Sequence, residues 1–315
     1  LSQKFNTFST IGNLNNHIGV PLSILSLSTE TEIGIIEMGA NHLNEIKFLC
    51  EIANPQIGYI TNFGKAHLEG FGSKISIIKG KSELYNYLKE TNGLAIINGN
   101  DKKQLKLTQK NKRFIFGNNE KADLNITPKN VNSNKIILRY NNFDFESNMI
   151  GSYNVSNVSV AIAFGLFFKI PKKNIMQGLK KYSAINNRSQ WVKKGTNLIL
   201  MDAYNANPSS MKASINAFIE NTKKNRIIIL GDMEELGKYS ESEHQKIANK
   251  LQKIDIELLI LIGKKFSEVD YEKNNFKKFN NPEDASKFLN NKKWFNKNFL
   301  LKGSRKNKLE EIINF

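Results

Sequence analysis

Apolar positions along the chain fall into short, dense runs separated by longer stretches in which they recur with helical spacing, and this alternation repeats over most of the sequence. Short apolar runs bounded by glycine or polar clusters read as buried strands, and the intervening stretches as amphipathic helices. Strands are predicted over Phe5–Ser9, Ile33–Ile36, Ile57–Ile60, Leu94–Ile97, Leu198–Met201, Arg226–Leu230, Leu258–Ile262 and Phe299–Leu301. Helices are predicted over Leu43–Ala53, Ser73–Lys89, Gly151–Phe168, Lys172–Tyr182 and Ser209–Glu220, with a further helix carrying His244 and a terminal one after Arg305. Strands alternating with helices give mainly parallel sheets covered by helices, an α/β fold. Between Arg113 and Ser147 the character changes: short alternating runs, Lys135–Tyr140 and Phe143–Ser147, meet at Asn141-Asn142 and read as antiparallel strands.

In open α/β sheets ligands bind beyond the carboxyl ends of the strands, so the residues following each run are the candidate chemistry. Ile33–Ile36 leads into Glu37, Gly39, Asn41 and His42. Ile57–Ile60 leads into a glycine-punctuated loop with His67 and Glu69, then a helix bearing Lys79, Lys81 and Glu83. A carboxylate and an imidazole at one sheet edge can hold a divalent cation beside a phosphate. Taken singly, each also reads as an exposed carboxylate or a hydrogen-bonded loop histidine. The stretch from Thr10 to Pro21, with two glycines and three asparagines after the first strand, is a plain turn cluster or a grip for a polar substrate. Asn154 and Asn157 share one face at the head of their helix, as caps or as readers of a purine edge. In the second half, Asp202–Pro208, Gly231–Gly237 and Lys302–Arg305 all follow strands, and Pro208 suits a first helical turn.

With 315 residues the chain can bury two cores, and 40% hydrophobic and 24% charged residues are ordinary for a globular protein. The net charge of +17 is not ordinary. The lysines are scattered among many asparagines without a dense basic block, and no common nucleic-acid-binding motif is present, so the charge reads as solvated surface that also attracts anionic nucleotides. The lone cysteine, Cys50, shares a helical face with Ile46, Leu49 and Ala53 and reads as a buried thiol. The longest apolar run, Val160–Phe168, is too short to cross a bilayer and no secretion signal is visible, so a cytoplasmic location is expected; the expected assembly is a monomer.

The segments GNLNNHIGVP (12–21), IIEMGANH (35–42), NFGKAHLEGFGS (62–73), KGKSELY (79–85), N-x-x-N (154–157), DAYNANPSSM (202–211), GDMEELG (231–237) and KGSR (302–305) together resemble the Mur ligases of bacterial cell-wall synthesis. The resemblance covers nearly the whole chain. It implies a central P-loop-NTPase-like domain over residues 1–186, truncated at its start, and a Rossmann-like C-terminal domain over 187–315. The family's UDP-binding domain and its glycine-rich G-K-T/S loop have no counterpart here, and Leu1–Lys4 reads as the tail of the helix that follows that loop. The expectation is an ATP-dependent carbon–nitrogen ligase as the intact protein, inactive as the 315 residues alone.

The implied activity is addition of D-alanyl-D-alanine to UDP-N-acetylmuramoyl-tripeptide through an acyl phosphate, since the D-N-P-R or D-N-P-A signature of the diaminopimelate- or lysine-adding sibling is absent. By resemblance, Glu37, His67 and a carbamylated Lys81 would ligate Mg2+, although histidine is an unusual magnesium ligand. Asn154, Asn157, Arg188 and Asp202 would meet ATP; Asn15 and Asn16 the muramoyl-peptide; and Tyr204, Asn205, Asn207, Lys302, Ser304 and Arg305 the incoming dipeptide. Tyr153 stands where relatives often carry histidine. The rival expectations are a related ligase such as folylpolyglutamate synthase and a non-catalytic binding fragment.

Overall fold

The computed structural model describes residues 1–131, 135–182 and 189–312. They form two compact units, one of Leu1–Phe63 and Gly70–Tyr182, the other of Gly64–Glu69 and Ser183–Phe315.

In the first unit the strand Thr7–Ser9 pairs in parallel with Ile33–Ile35. A separate six-stranded sheet runs in the order Ile57–Gly58, Leu94–Asn98, Lys112–Gly117, Leu124–Val131, Ile136–Tyr140 and Phe143–Ser147. Its first four strands are parallel and its last two pairings antiparallel, the turn at Asn141 adopting a positive φ of 54°. Leu94–Asn98 shows why an unbroken apolar run marks a parallel strand. Ile96 packs on one face with Phe116, Leu138, Phe145 and helix Val155–Phe167, whereas Ala95 and Ile97 pack on the other with Tyr85 and Leu88 of helix Lys74–Glu90. Both faces are covered along Ala95–Ile97, and each of these three positions is apolar; the polar Asn98 comes only at the strand's end. Helix Lys74–Glu90 starts where Ser73 accepts the Ser76 N–H at 3.1 Å, an N-cap.

The second unit is built on a six-stranded sheet ordered Phe276–Phe279, Leu258–Ile262, Arg226–Gly231, Asn298–Lys302, Asn197–Asp202 and Gln190–Lys194. All pairings are parallel except that of the last, edge strand. Helix Pro208–Asn221 begins with the predicted proline in its first turn, and Asn207 and Ser210 cap it reciprocally. The terminal helix expected after Arg305 is absent among the described residues. Two short 3-10 turns, Arg305–Asn307 and Leu309–Glu311, stand there instead, separated by Lys308 at a φ of +43° that α-helix cannot contain. Among the described residues no helix is long and apolar enough to cross a membrane.

Candidate active site

In the first unit, the parallel pair delivers Glu37 just beyond its strand. The backbone N–H of Glu37 donates to Oγ1 of Thr10, which follows the neighbouring strand, at 2.9 Å. The Asn15 side-chain amide donates to Oε1 of Glu37 at 2.8 Å, and the Asn15 carbonyl accepts the Gly39 N–H at 2.7 Å. The asparagine-rich loop is therefore an orienting clamp on Glu37, which leaves Oε2 without a partner among the described residues. Asn16 uses its Oδ1 locally, accepting the N–H groups of Ile18 and Gly19 at the head of helix Gly19–Leu25.

Lys81 lies on helix Lys74–Glu90 with its Nζ donating to the carbonyl of Asn62 at 2.8 Å. Burial pulls its amine below the usual lysine range. No hydrogen bond or ion pair joins Glu37 to Lys81. Two residues on, Glu83 accepts the N–H groups of Asn44 (2.7 Å) and Lys47 (3.1 Å), so its carboxylate satisfies the start of helix Glu45–Ala53 and ties that helix to the one carrying Lys81. Gly70 is required by close approach: a Cβ there would lie 2.4 Å from the carbonyl oxygen of Asn41.

His67 belongs by its contacts to the second unit, within the segment Gly64–Glu69. Its backbone is left-handed, φ +55°, as is that of Glu235 at +60°. The Nδ1 atom of His67 lies against Oε2 of Glu235, without the alignment of a hydrogen bond. The Glu69 N–H donates to the Glu235 carbonyl at 3.0 Å. Lys65 is held twice, its N–H on Oγ of Ser209 (2.9 Å) and its Nζ on the buried Glu243 carboxylate (2.8 Å). The partners Glu235 and Glu243 were not legible as such; for Glu235 the one hint was the density of acidic residues in GDMEELG, and for Glu243 there was none.

The sheet of the second unit aligns three neighbouring strand ends. Register sets Asp202 opposite Lys302, and Lys302 opposite Leu230, which precedes Gly231-Asp232. Lys302 is 2% exposed; its Nζ pairs with Oδ2 of Asp202 at 3.2 Å and donates to the carbonyl of Asn205. Asp202 also accepts the Ser189 N–H at 3.1 Å. Ser304 donates to Asn307 at 2.6 Å, and its N–H to the Asp232 carbonyl at 3.3 Å. Arg305 lies over the Tyr204 ring, 5.5 Å from its centroid. Asn205 accepts the Ala206 N–H, while Asn207 caps its helix. Asn154 is buried, donating to the Ile150 carbonyl (2.7 Å) and accepting from the exposed Asn157 (2.9 Å). Arg188 lies outside the described residues.

Carboxylates, amides and cations thus follow strand ends within each α/β unit, where open sheets of this kind bind their ligands. Residues 1–165 match the Mur ligase middle domain, and residues 187–295 the Mur ligase, glutamate ligase domain. The UDP-N-acetylmuramoyl-tripeptide--D-alanyl-D-alanine ligase of Buchnera aphidicola subsp. Acyrthosiphon pisum is 35% identical over 99% of this chain and 71% of its own. The ligase of the same name from Bacillus subtilis is 30% identical over 99% of this chain and 70% of its own. A crystal structure of MurF from Acinetobacter baumannii superposes with a TM-score of 0.88 at 28% identity, covering 99% of this chain and 70% of that one. The chain belongs to the Mur ligase family.

Proposed function

We propose that this chain carries the central and C-terminal domains of an ATP-dependent ligase that joins D-alanyl-D-alanine to UDP-N-acetylmuramoyl-tripeptide in the cytoplasm, a step of peptidoglycan precursor synthesis. The observation that carries the reading is the identity of 35% and 30% to two ligases of that name, spread over 99% of the chain. The substrate carboxylate attacks the γ-phosphorus of ATP, releasing ADP and leaving an acyl phosphate. The dipeptide amine then attacks the acyl carbon, phosphate departs and the amine proton is lost. The task for the protein is to bring anions together, which demands oriented cations and a fixed site.

Mg2+, when bound, would neutralise phosphate oxygens. Among the described residues no group of three or more His, Cys, Asp or Glu encloses a metal. Magnesium needs no such cage, since it keeps waters and substrate phosphates and takes one or two carboxylates. Glu37 fits that need: a hard oxygen donor, aimed by Asn15 and open at Oε2. His67 is the poorer donor by chemistry, and the reading assigns it a place beside the phosphates. Lys81 fits carbamylation because burial favours the neutral amine: its lone pair attacks the carbon of CO2, the nitrogen loses a proton to solvent, and an anionic carbamate results. Asn154, Asn157, Arg188 and Asp202 are assigned to the nucleotide. Tyr204, Asn205, Asn207, Ser304 and Arg305 are assigned to the dipeptide side, with Lys302 holding their loop and Asn15 and Asn16 on the muramoyl-peptide side.

The test is phosphate release by the full-length enzyme across a substrate panel, together with 13C NMR under labelled CO2. Release that requires both the UDP-linked tripeptide and D-alanyl-D-alanine, with a carbamate carbonyl signal lost in Lys81→Ala, is expected. Turnover of a folate with L-glutamate instead would overturn the substrate assignment, and an unlabelled wild-type Lys81 the carbamate.

A further inference from the structure

The imidazole of His244 is completely buried, on helix Ser240–Gln252, and nothing in the proposed chemistry uses it. Both ring nitrogens are nevertheless engaged. Nδ1 meets the Ser240 carbonyl at 2.7 Å and, much less closely, the Ser240 hydroxyl at 3.4 Å; the carbonyl can only accept, so the shorter contact puts the proton on Nδ1. That leaves Nε2 with its lone pair, and it accepts the backbone N–H of Met233 at 3.0 Å. Burial favours this neutral ring. Edge contact with Phe266, centroids 4.6 Å apart, fixes its plane.

Met233 opens the loop that follows strand Arg226–Gly231. The residue before it, Asp232, has Oδ1 3.8 Å from Nε2 of His244, and its two carboxylate oxygens accept the N–H groups of Lys265 (3.0 Å) and Phe266 (2.9 Å) at the head of a short helix. Two residues after Met233 comes Glu235, whose left-handed backbone accepts the Glu69 N–H and whose carboxylate lies against Nδ1 of His67. A left-handed glutamate is held there only if its neighbours leave the backbone no alternative.

We propose that His244 is a positioning residue: by accepting the Met233 N–H it fixes the loop whose Glu235 orients the imidazole of His67. Carboxylate partners of this kind set which nitrogen of a histidine is presented outward, here Nε2. The assignment rests on the role given to His67 above.

The wild-type protein supplies the first test. 15N NMR of the His244 ring should report the Nδ1–H tautomer; an Nε2–H tautomer overturns the proposal. His244→Phe keeps the ring shape and removes the acceptor, whereas His244→Gln returns an oxygen near the Nε2 position. The phenylalanine variant should raise Met233 amide exchange about tenfold, as loss of one buried hydrogen bond implies. It should also move the His67 ring signals in metal-free protein. In the full-length ligase kcat should fall about tenfold or more with KM values within about twofold, and glutamine should recover most of the loss. Faster Met233 exchange with unmoved His67 signals and unchanged kcat would reduce His244 to core packing and overturn the proposal. A failure of the metal reading looks different: Mn2+ would leave the His67 ring signals unbroadened, although they still shift in His244→Phe.

Discussion

Replacing Lys302 by methionine tests how the second unit holds its candidate dipeptide loop. The side chains of Lys302 and Asp202 are 3% and 13% exposed and pair at 3.2 Å. Methionine fills the volume, but strands the Asp202 carboxylate and leaves the Asn205 carbonyl without its donor. Removing one partner of a fully buried pair costs about 3–5 kcal/mol. Asp202 keeps some solvent and the Ser189 N–H at 3.1 Å, so the lower end, about 3 kcal/mol, applies. The assay is urea unfolding followed by tryptophan fluorescence. The chain has 2 tryptophans, Trp191 and Trp294, both in the second unit, so the signal reports that unit alone. With a slope of about 1.5 kcal/mol per molar urea, the midpoint should fall by about 2 M. Adding Asp202→Asn removes the stranded charge, and the double-mutant cycle should return a coupling of about 2 kcal/mol. A loss below about 1 kcal/mol, or coupling indistinguishable from zero, would refute the reading of Lys302 as a buried strut.

Two further outcomes follow from burial. The unfolded chain protonates His244 near 6.5, whereas the folded ring, whose pKa is depressed first by burial and then by Lys265 against the opposing pull of the Ser240 carbonyl, Asp232 and Glu234, takes its proton only at lower pH. Its contribution is therefore complete above pH 6.5 and declines as pH falls toward the folded value; tryptophan-monitored stability should drop over that window, and an equally steep drop in His244→Gln would count against the assignment. Gly80→Ala should destabilise the first unit although alanine ordinarily favours a helix by about 1 kcal/mol. The new Cβ would meet Cε1 of the buried Phe71 at 2.5 Å, and a raised melting temperature by circular dichroism would disprove the clash.

The parallel strands were legible because burial on both faces leaves a signature that no local feature masks: Ile227, Ile228, Ile229 and Leu230 are all fully buried. The strands that escaped notice have one poor face. Gln190–Lys194 is an edge strand with only one paired side, and Phe276–Phe279 carries two lysines at its centre. The antiparallel hairpin at Asn141 was readable from its turn, but the parallel strands Lys112–Gly117 and Leu124–Val131 that join it to the sheet were not separated from it. Glu37 and Lys81 could be chosen from position and motif. What held them could not, since Asn15, Asn62 and Glu83 act through contacts 19 to 39 residues apart in the chain that periodicity does not encode. Asn154 is the instructive case: a face shared with Asn157 was correct, and the two amides use that proximity to bond to one another.

The polypeptide changes unit at Phe63–Gly64, at Glu69–Gly70 and again after Tyr182. Dividing the gene at residue 187, where the second family domain begins, would therefore strip the downstream product of six residues, Gly64–Glu69, that fold with it. Glu243, 3% exposed, would lose Lys65 and retain Lys246 as its sole counter-ion among the described residues, and Glu235 would lose His67. Anyone cloning the C-terminal half for ligand screening would be working with a surface that the intact polypeptide keeps covered.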